Sequence, residues 1–193
     1  MEQEQPALIE HLETNLGHIA EGWKNDSAVG DVLQVVRFAD QPFKGASTFA
    51  TIGLSESKVL LPNGKHCRQE FVIAAWDSSP AAHVVSFLLT FAEYFRGKQR
   101  PLLRGDVVGP SVPLIPGVTA NSVYATNPVI FPETLACYDG DATPTVIVWL
   151  LPLMEAECAF VKEHGWDRFE DALENANPDL LDLSRSSIVQ GQQ

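Results

Sequence analysis

The sequence has few basic residues, and this shortage excludes a general affinity for polyanions. Lysine and arginine together number 13 against 25 aspartates and glutamates in 193 residues, which gives a formal net charge of -12 at pH 7. Such a chain is repelled by nucleic-acid phosphates and by anionic lipid headgroups. We therefore expect no nucleic acid and no membrane as a partner, whereas a basic protein suits the charge.

Cysteines and long apolar runs are also scarce. Cys67, Cys137 and Cys158 show no CxxC spacing, so we expect buried thiols rather than a disulfide framework or a zinc cage. The longest apolar run, 146–154, contains Pro152 and is about half of the roughly 20 residues that span a bilayer. The chain opens with acidic residues instead of a basic and apolar leader, which predicts a cytoplasmic protein.

The motifs of common catalytic and cofactor sites are missing. There is no G-x-S-x-G, no H-E-x-x-H and no G-x-x-x-x-G-K-[ST]. The carboxylate pairs Glu155/Glu157 and Asp139/Asp141 are typical of a helix N-terminus and of a solvated loop, respectively. The residues alone therefore predict no catalytic site, no cofactor and no metal.

Helix and strand signals alternate along the whole chain. Helical spacing of apolar residues predicts an amphipathic N-terminal helix within 1–31, with Trp23 on its apolar face. Three further helices are predicted. The first is a buried helix at 81–95, capped by Ser79. The second, at 155–164, is ended by Gly165, and the third, at 167–175, is opened by an Asp167/Glu170 capping box. The predicted strands are 32–38, 48–54, 68–76, 122–125, 128–131 and 145–151, the last of them central.

This pattern predicts a single α+β domain over 1–193, with a mixed β-sheet flanked by helices. Its core is placed at about 32–186, and 187–193 are expected to be a frayed tail. The charge is uneven, because residues 133–193 hold twelve acids and three bases whereas 35–132 hold six acids and nine bases. Four of those bases fall in 96–104, which we interpret as a solvated loop, leaving open whether it binds anything.

Several short strings occur in a fixed order, and together they resemble the suppressor of fused domain family, most closely its bacterial branch. The resemblance covers roughly 32–186. The strings are FATIGLS at 49–55, GDVV at 105–108, WLLPL at 149–153, EAE at 155–157 and FVKEHG at 160–165.

The resemblance implies a mixed α/β unit that binds proteins without catalysis. In the animal member this domain accepts a short peptide of a Hedgehog-pathway transcription factor as an added strand. Many bacterial relatives are regarded as immunity proteins that neutralise toxins by direct binding. Carried over by motif, the partner-binding tyrosine and aspartate match Tyr94 and Asp106. We expect no counterpart of the animal protein's second domain, which forms the other wall of its groove.

We therefore expect a non-enzymatic, toxin-neutralising, immunity-type protein whose partner is a basic toxin or peptide. Tyr94 is also a polar aromatic residue at the end of an apolar helix, which suits an interface. Two alternatives stay open. One is a regulatory scaffold that binds a partner peptide by strand addition. The other is an enzyme whose site is assembled around Asp106 and His66 or His83. The oligomeric state is not predicted.

Overall fold

A mixed sheet forms the centre of the fold in the computed structural model, which describes residues 7–24, 32–111 and 113–190. Within these ranges, nine strands are present: β1 (Glu21–Lys24), β2 (Gln34–Ala39), β3 (Ala46–Ile52), β4 (Val59–Leu60), β5 (His66–Trp76), β6 (Val107–Val108), β7 (Ser122–Thr126), β8 (Cys137–Tyr138) and β9 (Thr145–Leu153). The helices of the same ranges are α1 (Ala7–Leu16), α2 (Ala81–Lys98), α3 (Glu155–His164) and α4 (Trp166–Ala176). No helix among them is long and apolar enough to cross a membrane.

Strand β9 lies in the middle of the sheet, as its continuous apolar sequence predicts. The strand order is β1-β2-β3-β5-β9-β7-β6, with β4 beside β5 and β8 beside β9. All pairs are antiparallel except β5 and β9, which run parallel with Phe71 opposite Val148. This mixed sheet with flanking helices confirms the α+β prediction.

Helices cover both faces of the sheet because successive side chains of a strand point to opposite sides. On one face, α2 packs Phe87 against a cluster that includes Val148 and Leu150. On the other face, residues of α1, α3 and α4 join a cluster that includes Trp149 and Phe169. The central strand thus supplies the core of both layers.

The predictions for β3, β5 and α3 are confirmed. Strands β3 and β5 pair antiparallel, although the turn at 62–64 joins β4 to β5 rather than β3 to β5. Helix α3 has the predicted bounds. The Gly165 N–H donates to the Val161 carbonyl at 2.9 Å, which caps the helix end as predicted.

The prediction of one N-terminal helix within 1–31 is wrong in its extent. Helix α1 ends at Leu16, where Gly17 takes a φ of 80° and its N–H donates to the Glu13 carbonyl at 2.9 Å. Trp23 lies on β1, opposite Val35 of β2. Pairing with a distant strand therefore overrides the helical spacing. Residues 25–31 of the predicted range lie outside the described residues.

Three local predictions are wrong. Residues 128–131 form a turn instead of a strand, with the Phe131 N–H donating to the Pro128 carbonyl at 3.1 Å. Pro80, not Ser79, is the N-cap of α2. Gly165 is the N-cap of α4, so the Asp167/Glu170 capping box does not form. The side chain of Glu170 faces the sheet instead.

The expected frayed tail is docked at Ile188, within the described part, which ends at residue 190. Arg185 forms an ion pair of 2.6 Å with Glu157, whose side chain is fully buried, and the Ile188 N–H donates to the same carboxylate at 3.0 Å. Glu157 thus lies in the first turn of α3, as predicted, and its side chain is buried rather than solvated. The expectation of buried thiols fails for Cys137, which is exposed, whereas the other two cysteines are buried.

Replacing Arg185 with alanine should destabilise the fold by about 3 kcal/mol, because it leaves the Glu157 carboxylate buried without its cation. Urea unfolding followed by tryptophan fluorescence measures the loss. Arg168→Ala is the matched control, since Arg168 is an exposed arginine on α4. Equal stability of the two variants would show that the tail is not held by this ion pair.

Candidate functional site

A groove of about 550 Å³ opens between α2 and the segment that follows β6. We call it the α2 groove. Its floor includes Phe87, Phe91 and Val123, which are at most 7% exposed. None of the described residues that line it is an aspartate, glutamate, lysine or arginine. The groove is therefore a concave, mainly apolar surface, which is the usual character of a binding site.

The sequence of α2 explains one wall of this groove. Ala82, Ser86, Thr90 and Tyr94 recur every four residues and form an exposed stripe on a helix that is otherwise largely buried. All of this stripe except Ala82 lines the groove. The apolar character of 81–95 predicted burial on nearly all sides, and this stripe corrects that expectation.

The opposite wall consists of a segment that cannot continue the sheet. Pro110, Pro113 and Pro116 lack the N–H that a strand pair requires. Gly109 has a φ of 127°, and a Cβ there would lie 2.8 Å from the Asn121 carbonyl oxygen. The chain therefore leaves the sheet after β6 and stands away from α2.

Tyr94 lies at the rim of the α2 groove and is 50% exposed. Its ring packs edge-on against Phe95, with centroids 5.5 Å apart, and the Lys98 ammonium lies 5.0 Å from the ring centroid. The phenol group is thus presented to solvent on a supported ring. This position suits the contact role that the family resemblance implies.

Asp106 lies outside the α2 groove. It borders a separate depression together with Leu60, Arg100 and Leu103. One of its carboxylate oxygens, Oδ2, accepts the Leu103 N–H at 2.9 Å and so holds its own turn. No hydrogen bond joins Tyr94 to Asp106, so the structure does not bring the two predicted residues into one contact.

The alternative catalytic group is not assembled either. His83 lines the α2 groove and His66 is exposed at the start of β5. Neither histidine forms an ion pair or a hydrogen bond with Asp106. Within the described ranges, no three His, Cys, Asp or Glu side chains are placed to hold a metal ion.

A polar cluster that the sequence did not reveal lies beside Asp106. Glu170 of α4 accepts hydrogen bonds from the Tyr124 hydroxyl at 2.8 Å, from the Thr126 hydroxyl at 3.1 Å and from the Arg104 Nε at 3.2 Å. The Nη2 of Arg104 makes a second contact with the carboxylate. We call these four residues the Glu170 cluster. It joins α4, β7 and the loop that carries Asp106.

The environment of the cluster sets its charges. Burial alone would raise the pKa of Glu170, but the hydrogen bonds from Arg104, Tyr124 and Thr126 lower it below its ordinary value of 4.5. Burial, and then the hydrogen bond to Glu170, raise the pKa of Tyr124 far above its ordinary range. The hydrogen bond to Glu170 raises the pKa of Arg104. The cluster is therefore a charged pair beside a neutral phenol at neutral pH.

The cluster also changes the interpretation of the basic segment 96–104. Arg104 is paired with Glu170, and its guanidinium lies 4.6 Å from the centroid of the Trp166 ring. Arg100 lies 5.9 Å from the Phe95 centroid, and Lys98 contacts Tyr94. The segment is therefore not a loop throughout, because α2 extends to Lys98. Its side chains Lys98, Arg100 and Arg104 are exposed, as expected of a solvated segment, but each also has a partner within the fold.

Glu70 is a second buried carboxylate that the sequence did not single out. It accepts the N–H groups of Gly53 at 2.9 Å and Ser55 at 3.0 Å, and also the hydroxyl groups of Ser55 and Thr51. Burial raises its pKa, and these hydrogen bonds oppose that effect. Because Glu70 is fully enclosed, it holds the loop after β3 and presents nothing to a partner.

Gly105→Ala should destabilise the protein more than Gly64→Ala. Both glycines have positive φ, 90° and 80°, so alanine costs each about 1 to 2 kcal/mol from backbone strain. A Cβ at 105 would also lie 2.5 Å from Trp166 Cγ, whereas a Cβ at 64 meets nothing within 4 Å. Urea unfolding of both variants gives their free energies of unfolding, and we expect the Gly105→Ala protein to be less stable than the Gly64→Ala protein by about 1 kcal/mol or more. Equal losses would mean that Trp166 does not pack on Gly105.

Glu170→Gln should lose stability in a pH-dependent way. Because the folded pKa of Glu170 is lowered, its contribution is present at neutral pH and is lost as the pH falls through about 4.5 and below. We expect the free energy of unfolding of the wild type to exceed that of the variant at about pH 7, and this difference to shrink as the pH is lowered from about 5 towards 3, as measured by urea unfolding. Glu174→Gln, an exposed site on the same helix, is the control. A difference that does not change with pH would contradict this assignment.

Comparison with known proteins finds relatives over nearly the whole chain. The family model described as suppressor of fused protein (SUFU) matches residues 30–186. Among curated proteins, the immunity protein YqcF of Bacillus subtilis (strain 168) is 25% identical over 180 residues, which cover 86% of this chain and 84% of that protein.

Solved structures show the same fold. A suppressor of fused homologue from Neisseria gonorrhoeae FA 1090 has a TM-score of 0.76 and 18% identity, covering 96% of both chains. The Sufu–Fu complex has a TM-score of 0.71 and 13% identity, covering 94% of this chain and 91% of that one. Drosophila Suppressor of Fused has a TM-score of 0.68 and 12% identity, covering 94% of this chain and 50% of that one. The resemblance found in the ordered strings is thus confirmed, and the chain belongs to the suppressor of fused family.

Proposed function

We propose that this chain is an immunity-type protein that binds and neutralises a basic protein toxin through the α2 groove. The observation that carries this proposal is the half-exposed Tyr94 at the rim of an uncharged, apolar-floored groove. Tyrosine suits an interface, because its ring buries apolar area while its hydroxyl still forms a hydrogen bond. The function is binding alone and needs no chemical step.

The relatives support a protein-binding role of this kind. One relative is named an immunity protein, and one solved structure is a complex of Sufu with Fu. Family membership and these names suggest a non-enzymatic domain that acts through a protein partner. The identity of that partner as a toxin, and as a basic one, is our proposal.

The charge of the chain supports a basic partner. The net charge is -12, and exposed acids on α4 include Asp167, Asp171 and Glu174. An acidic surface accelerates encounter with a cationic protein and discourages polyanions. The groove itself carries no formal charge, so it would hold apolar side chains of the partner once the encounter has occurred.

Asp106 is proposed as a second contact, separate from the groove. Its Oδ2 is used by the Leu103 N–H, but its Oδ1 accepts no hydrogen bond from the described residues. That oxygen could pair with a donor of the partner. Tyr94 and Asp106 would then mark two regions of one interface rather than a single clamp.

Strand addition, the mode of the regulatory scaffold alternative, has one observation in its favour. Strand β6 is the last strand in the sheet order, and Val108 lines the α2 groove. A peptide lying in the groove could pair with this edge. The pairing would be short, because β6 has two residues and Pro110 follows soon after.

The test is affinity purification of the tagged chain from its host, followed by co-expression with the captured protein. Tyr94→Ala and Asp106→Asn should each weaken binding, the former by roughly 30-fold if Tyr94 anchors the interface. The amide introduced by Asp106→Asn keeps an oxygen for the Leu103 N–H, so the turn survives. The wild-type chain should restore growth of cells that make the captured protein, and the double variant should not.

Tyr138→Ala combined with Asp141→Asn is the matched control, because these residues lie away from the α2 groove, on β8 and in the loop before β9. It should bind like the wild type. Retention of the same partner at the same yield by the Tyr94 and Asp106 variants would refute the proposed site. A partner that is not toxic would refute the immunity role.

A further inference from the structure

A second exposed aromatic surface lies at Trp166, outside the α2 groove. The side chain of Trp166 is 41% exposed at the start of α4, and its indole N–H donates no hydrogen bond to the described residues. Arg104 and Gly105 contact the ring, and Asp167 follows it along the helix. We call these four residues the Trp166 patch. It combines a partly exposed ring that already contacts the Arg104 guanidinium and the Gly105 backbone, a free donor and an exposed carboxylate.

The ring of Trp166 is held in place before any partner arrives. A Cβ on Gly105 would lie within 2.9 Å of three Trp166 atoms, so the ring rests directly on the Gly105 backbone. The Arg104 guanidinium lies 4.6 Å from the ring centroid and is itself fixed by Glu170. A fixed aromatic side chain loses little conformational freedom on binding, and tryptophan is common among residues that dominate interface energies.

The local charge favours a cation as the ligand of this patch. Arg104 is neutralised by Glu170, so it adds no free positive charge. Helix α4 carries four acids, including the exposed Asp167 and Asp171, and one base, the exposed Arg168. An indole ring attracts ammonium and guanidinium groups through its π-electrons, and a nearby carboxylate strengthens that preference.

We propose that the Trp166 patch binds an arginine or lysine side chain of the basic partner. This inference rests on the proposed function and deepens it by assigning the charged part of the interface. The two surfaces are joined by one segment, since Arg104 and Gly105 belong to the patch while residues 108–111 line the α2 groove. A partner that covers this segment contacts both surfaces, with apolar side chains at one end and a cation at the other.

The test uses three short peptides of glycine and serine that differ at two positions, which hold arginine, its neutral analogue citrulline, or glutamate. Each is titrated into the full chain at low salt, and the indole N–H resonance of Trp166 is followed by NMR after assignment with Trp166→Phe. We expect the arginine peptide to shift this resonance and the other two to leave it unchanged. Equal shifts with arginine and citrulline, or a larger shift with glutamate, would overturn the proposal.

Variants separate this inference from the function on which it rests. With a fluorescent arginine peptide, Trp166→Leu should weaken binding by roughly twofold to fivefold. Tyr138→Ala should leave that binding unchanged, because Tyr138 lies on β8, outside both proposed surfaces. Unchanged binding by a folded Trp166→Leu protein would refute the cation site, even if the partner assay succeeds. A loss specific to Trp166 would support it even if no toxin is captured.

Discussion

One carboxylate, that of Glu170, holds together the part of the fold that presents the candidate surfaces. Its oxygens accept hydrogen bonds from a loop through Arg104 and from β7 through Tyr124 and Thr126. A carboxylate that is partly removed from water, as Glu170 is with a side chain 20% exposed, needs donors that compensate for its lost hydration. The same requirement therefore fixes the position of α4 against the sheet and the path of the loop that leads to Asp106.

This constraint reaches both proposed contact regions through the segment 103–111. At its start, the segment is held by Arg104 on Glu170 and by the ring of Trp166 on Gly105. Near its end, Lys162 of α3 donates to the Gly109 carbonyl at 2.6 Å, just where the chain becomes a wall of the α2 groove. Helices α3 and α4, two of the three helices on that face of the sheet, thus anchor one segment. A surface anchored in this way needs little ordering when a partner binds, which favours affinity.

Sequence signals were sufficient where structure depends on neighbouring residues. The apolar run of β9 and the charge pattern and final glycine of α3 each predicted their element. They failed where distant residues decide. The spacing of Asp167 and Glu170 suits a capping box, but Glu170 instead accepts hydrogen bonds from side chains on β7 and in the loop. The exposure of Tyr94 could be predicted, because Tyr94 is a polar aromatic residue at the end of a largely apolar helix. Its separation from Asp106 could not, because it depends on how the chain turns between the two residues.

The uncharged groove and the negative net charge of the chain would control different rates of complex formation. The charge would set how fast the partner arrives, and the groove would set how slowly it leaves. Long-range attraction depends on net charge and weakens with salt, so it governs the rate of encounter. Apolar burial in the groove is not screened by salt and acts only after contact, so it governs the rate of dissociation. The Trp166 patch would belong to both regimes, because a cation on an aromatic ring is attracted from solution and is then held at short range. The Trp166 patch and the α2 groove lie at opposite ends of the segment 103–111. A partner must therefore present its cation and its apolar side chains in the matching orientation, so that charge alone would not be enough for binding.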